Sequence, residues 1–301
     1  MTYSIVARDP VTGELGVAVQ TRWFNVGSGV PWAEAGVGAV ASQSFSEPSY
    51  GPLGLARMRA GEPAPEALDA LLASDDGRGV RQVGMVDATG RSAAFTGAQC
   101  VAEAGHIVAP DLSVQANMME RPTVWPAMAH AFTSTAGPLA DRLLAALRAA
   151  EAEGGDIRGR QSAALLVVPA AGPAWTTTYD LRVEDDRAPL DELARLLRVA
   201  RAYEAFDRTE EPVMRGDLAA ASVFMERAHE LAPDDDQITL WTAMMFAGAG
   251  RMTEARGLFA EARRAEPRAA EHIRRFVAAG HLPPEAAAAI EALEAEPNET
   301  R

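Results

Sequence analysis

Two short runs constrain this chain most: Gly16-Val17-Ala18-Val19 and Ala163 to Val168 are apolar at successive positions, not at alternate ones. Side chains of a strand point alternately to its two faces, so such a strand needs cover on both sides. That places both runs inside a layered molecule. Their surroundings agree. Residues 3–8 and 15–21 read as strands joined by Asp9-Pro10-Val11-Thr12-Gly13-Glu14, whose Asp-Pro and Gly are turn formers, so the chain opens on a hairpin. Further strands are expected over 37–44, 80–87, 91–96, 106–108, 112–117, 162–169 and 174–181. Helices are expected over 51–60 and 64–73, ended by Asp75-Asp76-Gly77. Another starts at Pro138 with Leu139, Leu143, Leu144 and Leu147 on one face and stops at Gly154-Gly155; Leu190, Leu193 and Leu197 stripe the next. The order βββ-αα-ββββ-αα-ββ-α predicts the α+β class, with stacked sheets covered by outer helices.

From about residue 206 the pattern is wholly helical and repeats. Gly216, Ala221, Ala228 and Pro233 recur as Gly250, Ala255, Ala262 and Pro267, each 34 residues later. Thirty-four is the tetratricopeptide period, and Phe246 and Phe259 fit the motif's aromatic positions in the second copy. Pro212 would interrupt the first helix of the first copy, so that helix is missing or merged with its predecessor. Two domains are expected, 1–205 and 206–301, with capping helices near 268–279 and 285–294 and a frayed tail from Glu294. So few repeats rarely stand alone, so the segment is expected to pack on its own first domain or on a second subunit. A homodimer would cover leftover apolar surface, and a protein partner for the helical segment is the other expectation.

Composition narrows the partners. Basic residues number 28 against 42 acidic ones, a net charge of −14, which argues against nucleic acid and against an anionic membrane surface. No apolar run reaches the length of a transmembrane helix, and the N-terminus lacks signal-peptide character, so a cytoplasmic protein is expected. All 28 basic residues are arginine; there is no lysine. Schiff-base, phosphate-loop and general-base lysines are therefore excluded. Gly27-Ser28-Gly29 lacks the third glycine of a dinucleotide loop, no Gly-x-Ser-x-Gly elbow occurs, and the five histidines show no metal-ligand spacing. The single cysteine, Cys100, reads as a small hydrophobe. No metal and no organic cofactor are expected.

Chemistry points to the start of the chain. If Met1 is removed, as expected before a small side chain, Thr2 carries a hydroxyl beside its own α-amine. A threonine hydroxyl needs a base, and an α-amine with a reference pKa of about 7.7–8.0 can serve near neutral pH. A purely structural Thr2 is the competing reading.

Several segments resemble the family called domain of unknown function 1028. They include Thr2 to Pro10 with Thr12 to Val19, Val30-Pro31-Trp32-Ala33 with Gly36 to Ala41, and Pro48-Ser49-Tyr50-Gly51. Further on stand Gly97-Ala98-Gln99-Cys100, Ser113 to Asn117 and Gly159 to Val167, so the likeness spans about residues 1–205. That family is assigned to the N-terminal-nucleophile (Ntn) hydrolase superfamily. The resemblance implies a four-layer αββα Ntn-hydrolase-like sandwich and hydrolysis of a small amide or peptide-like bond through an acyl-enzyme, on a substrate not established for the family. It assigns the nucleophile to Thr2. Arg22, near where proteasome-like relatives carry a lysine, would lower the amine pKa by its charge but cannot act as a base. Asn117 is suited to an oxyanion hole, with Gln43 and Gln115 as neighbouring donors for substrate. Ser162 resembles the polar residues that orient an Ntn terminus, and Arg160, just before it, is expected to bind substrate. Asp87 is read as a hairpin-turn residue. The alternative function is a non-catalytic scaffold, in which an inactive sandwich carries a partner-binding helical repeat.

Overall fold

The computed structural model describes residues 2–295; Met1, expected to be processed, and the end of the tail, 296–301, lie outside the described residues. Two compact units divide the chain, Met1–Leu196 and Leu197–Arg301.

The first unit holds ten strands: β1 (Thr2–Arg8), β2 (Leu15–Thr21), β3 (Pro31–Glu34), β4 (Gly38–Ser44), β5 (Arg81–Asp87), β6 (Ser92–Thr96), β7 (Gly105–Ala109), β8 (Leu112–Asn117), β9 (Ser162–Val168) and β10 (Tyr179–Val183). Six form an antiparallel sheet in the order β10-β9-β2-β1-β8-β7, and four form a second in the order β3-β4-β5-β6. The sheets face each other, with β1 and β8 against β4 and β5. Helices α1 (Tyr50–Arg59) and α2 (Ala64–Ala73) cover the four-stranded sheet; α3 (Val124–Ser134) and α4 (Leu139–Ala152) cover the six-stranded one. The layers are therefore helix, sheet, sheet, helix.

This arrangement explains the doubly apolar runs. β2 and β9 are buried along their whole length in the middle of the larger sheet. One face of β1 and β2 gives Val6, Val17 and Val19 to a core shared with Ala39, Ala41 and Val86 of the smaller sheet. The other face meets α4: a Cβ on Gly16 would lie 2.7 Å from Leu143 Cδ1 and 3.2 Å from the Leu166 carbonyl, so a larger residue there would force Leu143 to shift.

Strands 15–21 and 112–117 and helix 64–73 run as the sequence pattern predicts. The strand expected over 174–181 starts only at Tyr179, because Thr176 N–H closes a turn on the Pro173 carbonyl at 2.9 Å. β3 was not anticipated; it has four residues and is mostly half-buried.

α5 (Pro189–Asp207) runs through the division between the units, so the boundary lies at 196/197 and not at 205/206. The physical reason is packing: Ala202 and Ala205 of α5 are buried with Met225, Ala228 and Ile238 of the second unit. That unit continues through α6 (Glu210–Met214), α7 (Leu218–Leu231), α8 (Asp236–Gly248), α9 (Met252–Ala265), α10 (Ala269–Ala278) and α11 (Glu285–Glu294). The 34-residue period is visible in three dimensions. Gly216 and Gly250 take left-handed φ values of 73° and 82° just before α7 and α9, and Ala221, Ala228, Ala255 and Ala262 are all buried. Pro212 lies in the five-residue α6, where the first copy loses a full-length helix. Among the described residues no helix is long and apolar enough to cross a membrane.

Candidate functional site

The first hairpin closes on the pair Arg8 and Leu15, so its register carries Thr2 opposite Thr21. On its other side Thr2 faces Asn117, and Thr21 faces Ser162. Directly opposed residues of an antiparallel sheet project from the same face. Asn117, Thr2, Thr21 and Ser162 thus form one rung across four strands, on the face turned to the second sheet.

Thr2 is 7% exposed, and its Oγ1 donates to Thr21 Oγ1 at 3.1 Å. Its carbonyl accepts from Gln43 Nε2 at 3.1 Å and, at 3.4 Å, from Asn117 Nδ2. Both amides also donate to Gln82 Oε1, at 2.8 and 2.7 Å. Gln82 Nε2 donates in turn to the Ala116 carbonyl at 2.8 Å and to Thr96 Oγ1 at 2.9 Å. Ser4 Oγ donates to Gln43 Oε1 and accepts from Gln115 Nε2, each at 2.6 Å. A buried polar layer therefore joins the two sheets directly behind Thr2. β5 must pass it without a side chain at Gly84, where a Cβ would come within 2.2 Å of Gln115 Oε1.

In front of Thr2 opens a cavity of about 410 Å³. Its least exposed lining residues include Thr2, Thr21 and Gln43; its exposed aromatic ones are Trp23, Phe24 and Phe45. Ser44 also lines it, with φ at 72° and a buried Oγ that has no hydrogen-bond partner among the described residues. Arg158 is the cationic lining residue, and its Nε and Nη2 donate to Asp156 Oδ1 and Oδ2 at 3.0 and 2.7 Å. The Asp156 side chain is fully buried and also accepts from the backbone N–H of Arg22 and Arg158.

The residues singled out in the sequence separate accordingly. Thr2 and Gln43 meet at the cavity, with Gln115 and Asn117 in the polar layer behind it. Ser162 shares the rung, but its Oγ donates to the Trp23 carbonyl at 2.5 Å and accepts from Val26 N–H at 3.1 Å, which braces the loop after β2. Arg22 is exposed, its guanidinium donating to Gln161, and it does not line the cavity. Arg160 pairs with Glu151 at 3.3 Å beside a separate depression that also involves Arg148 and Asp191. Asp87 accepts from Thr89 and Arg91 in its turn, as expected, and from Ala64 N–H at the start of α2.

Two titrating groups near this face can be set aside. Tyr3, on the opposite face of β1, has its pKa pushed far up by burial and by Glu151, to which its hydroxyl donates at 2.8 Å. Burial lowers the pKa of His106, whose Nδ1 lies 2.9 Å from Thr96 Oγ1. Among the described residues no cluster of three or more His, Cys, Asp or Glu could hold a metal.

Thr21, Ser44, Gln82, Asp156 and Arg158 are the site residues that sequence reasoning missed. Thr21 was within reach, since a hairpin turning at 9–14 mirrors residue 2 onto residue 21. The others come together only through contacts between distant segments.

No curated protein matches the chain. The family model described as "Family of unknown function (DUF1028)" matches residues 2–193. A crystal structure of a Silicibacter pomeroyi protein assigned to DUF1028 is 32% identical, with a TM-score of 0.60, covering 65% of this chain and 88% of that one. The family match spans the part of the molecule that builds the rung and the cavity, and the chain belongs to the DUF1028 family of unknown function.

Proposed function

We propose that this protein is an Ntn-type amide hydrolase whose nucleophile is Thr2, acting after removal of Met1. The observation that carries the reading is the position of the Thr2 hydroxyl. It is held in the middle of a sheet against Thr21, its carbonyl is fixed by Gln43 and Asn117, and it borders a cavity. The helix-sheet-sheet-helix layering agrees with the αββα sandwich of that superfamily.

In this mechanism the freed α-amine takes the proton of Thr2 Oγ1 as the oxygen attacks the substrate carbonyl carbon. The tetrahedral intermediate expels the amine, which leaves with that proton, and an ester remains on Thr2. Water, deprotonated by the same α-amine, attacks the ester, and the proton returns to Oγ1 as the acid departs. Ser44 is the better oxyanion donor once its buried, unpartnered Oγ turns toward the cavity that the residue borders, because Asn117 Nδ2 is engaged by Gln82 and the Thr2 carbonyl.

The absence of lysine makes the test clean, because the α-amine is the chain's only primary amine. One equivalent of an amine-acylating reagent should attach at Thr2 and abolish hydrolysis. A β-lactone probe should acylate Thr2 in the parent and in Thr2→Ser, but not in Thr2→Ala. Thr2→Ala should lose activity by roughly 10³-fold or more at a stability change of about 1 kcal/mol, one hydrogen bond's worth. Intact-mass analysis that finds Met1 retained in active protein would sink the mechanism and favour the scaffold reading.

A further inference from the structure

We infer that the cavity beside Thr2 is a subsite for a neutral amide bearing an aromatic or bulky apolar group on one side of the scissile bond. This rests on the proposed role of Thr2 for its chemistry, but not for its binding.

Trp23, Phe24 and Phe45 are 70%, 60% and 53% exposed, and all three line the one cavity. Isolated exposed hydrophobic residues are ordinary; three exposed aromatic residues lining one cavity are not isolated. The backbone that carries them is fixed. The loop after β2 is pinned by Arg22 N–H on Asp156 Oδ2, Ser162 Oγ on the Trp23 carbonyl, Asn25 N–H on the Glu184 carbonyl and Val26 N–H on Ser162 Oγ. Asn25 turns it through a left-handed φ of 55°. Across the cavity, Phe45 is held by its N–H on the Val80 carbonyl and by Arg81 Nη1 on its own carbonyl. Rings displayed on fixed backbone lose little conformational freedom on binding.

Charge sets the second half of the specificity. Arg158 is the one charged side chain lining the cavity, and Asp156 already neutralises it through two hydrogen bonds. Among the described residues the lining holds no other charged side chain, and the α-amine freed on Thr2 must be neutral to act as a base, whereas Ser28, Ser44 and Asn25 supply polarity to orient a single amide. The volume of about 410 Å³ falls in the range of small-molecule sites.

Full-length Thr2→Ala, which should bind without turnover, is titrated calorimetrically with three amides. These are N-benzyl-3-phenylpropanamide, its small aliphatic counterpart N-methylpropanamide, and the anionic N-(3-phenylpropanoyl)glycine. The first should bind at least tenfold tighter than either of the others. Adding Trp23→Ala, or separately Phe45→Ala, should weaken it about tenfold, the order of one aromatic contact, with the melting temperature unchanged. Equal affinity for the three amides, or no effect of either ring deletion, would overturn the subsite. So would sedimentation showing that Trp23→Ala converts a dimer to monomer without altering ligand affinity, since a second copy would then own these rings. The two proposals fail separately. Binding of the aromatic amide with no hydrolysis by the parent leaves the subsite and removes the hydrolase. Hydrolysis of N-methylpropanamide as fast as the aromatic amide does the reverse.

Discussion

Gln82 illustrates how much of the site depends on residues with no chemistry of their own. Its Oε1 accepts from Gln43 and Asn117, the two side chains that hold the Thr2 carbonyl, and its Nε2 reaches back to β8 at the Ala116 carbonyl. Replacing it with leucine strips both donors of a partner in a dry interior, where an unmet polar group costs about 1–3 kcal/mol. Gln82→Leu should therefore lower stability by roughly 3 kcal/mol in urea unfolding. It should also disorder the Thr2 carbonyl, reducing turnover beyond what the stability loss explains. Thr2 itself was legible from its place in the chain. Gln82 was not, because the partners that tie it to the Thr2 carbonyl and to β8 lie 34 to 39 residues away and nothing local distinguishes it from a solvated glutamine. Arg22 shows the opposite error: its place after the second strand, near the lysine of proteasome-like relatives, suggested it, but the strand ends at Thr21 and its guanidinium is exposed, donating to Gln161.

Among the elements, the junction from β5 through its turn back to α2 is the one with a titratable pin. Burial alone would raise the Asp87 pKa, but bonds from Thr89 Oγ1 and from the N–H groups of Ala64, Thr89 and Arg91 outweigh it and hold the carboxyl below its usual range. A carboxyl whose folded pKa is depressed contributes stability above its unfolded value, about 3.9, and loses it as pH falls through the folded value. Acid unfolding of the first unit should therefore steepen below about pH 4. Asp87→Asn should be less stable at neutral pH yet flatter in that acid range, and equal slopes for the two proteins would dismiss the pin. At this scale the sequence was readable where periodicity was strong, as in α2, β2 and β8. It failed at β3, which is too short to show a period, and at β10, whose expected first half is a turn.

For the molecule as a whole, composition and period located two units, but the boundary needed packing. α5 looks like the last helix of the first unit by its leucine stripe, yet Ala202 and Ala205 are buried in the second. A fragment spanning 206–301 strips Val199, Ala202 and Ala205 from the cluster that holds Met225 and Ile238, whereas 197–301 keeps them. The longer fragment should show the higher helicity and a sharper thermal transition by circular dichroism, and identical melting would place the boundary back at 205/206. The rung that presents Thr2 has a wider consequence. Its members come from positions 2, 21, 117 and 162, joined only when β9 has docked beside β2. Synthesis must therefore run past Ser162 before the rung around Thr2 can close, and no nascent segment that stops short of β9 carries it whole.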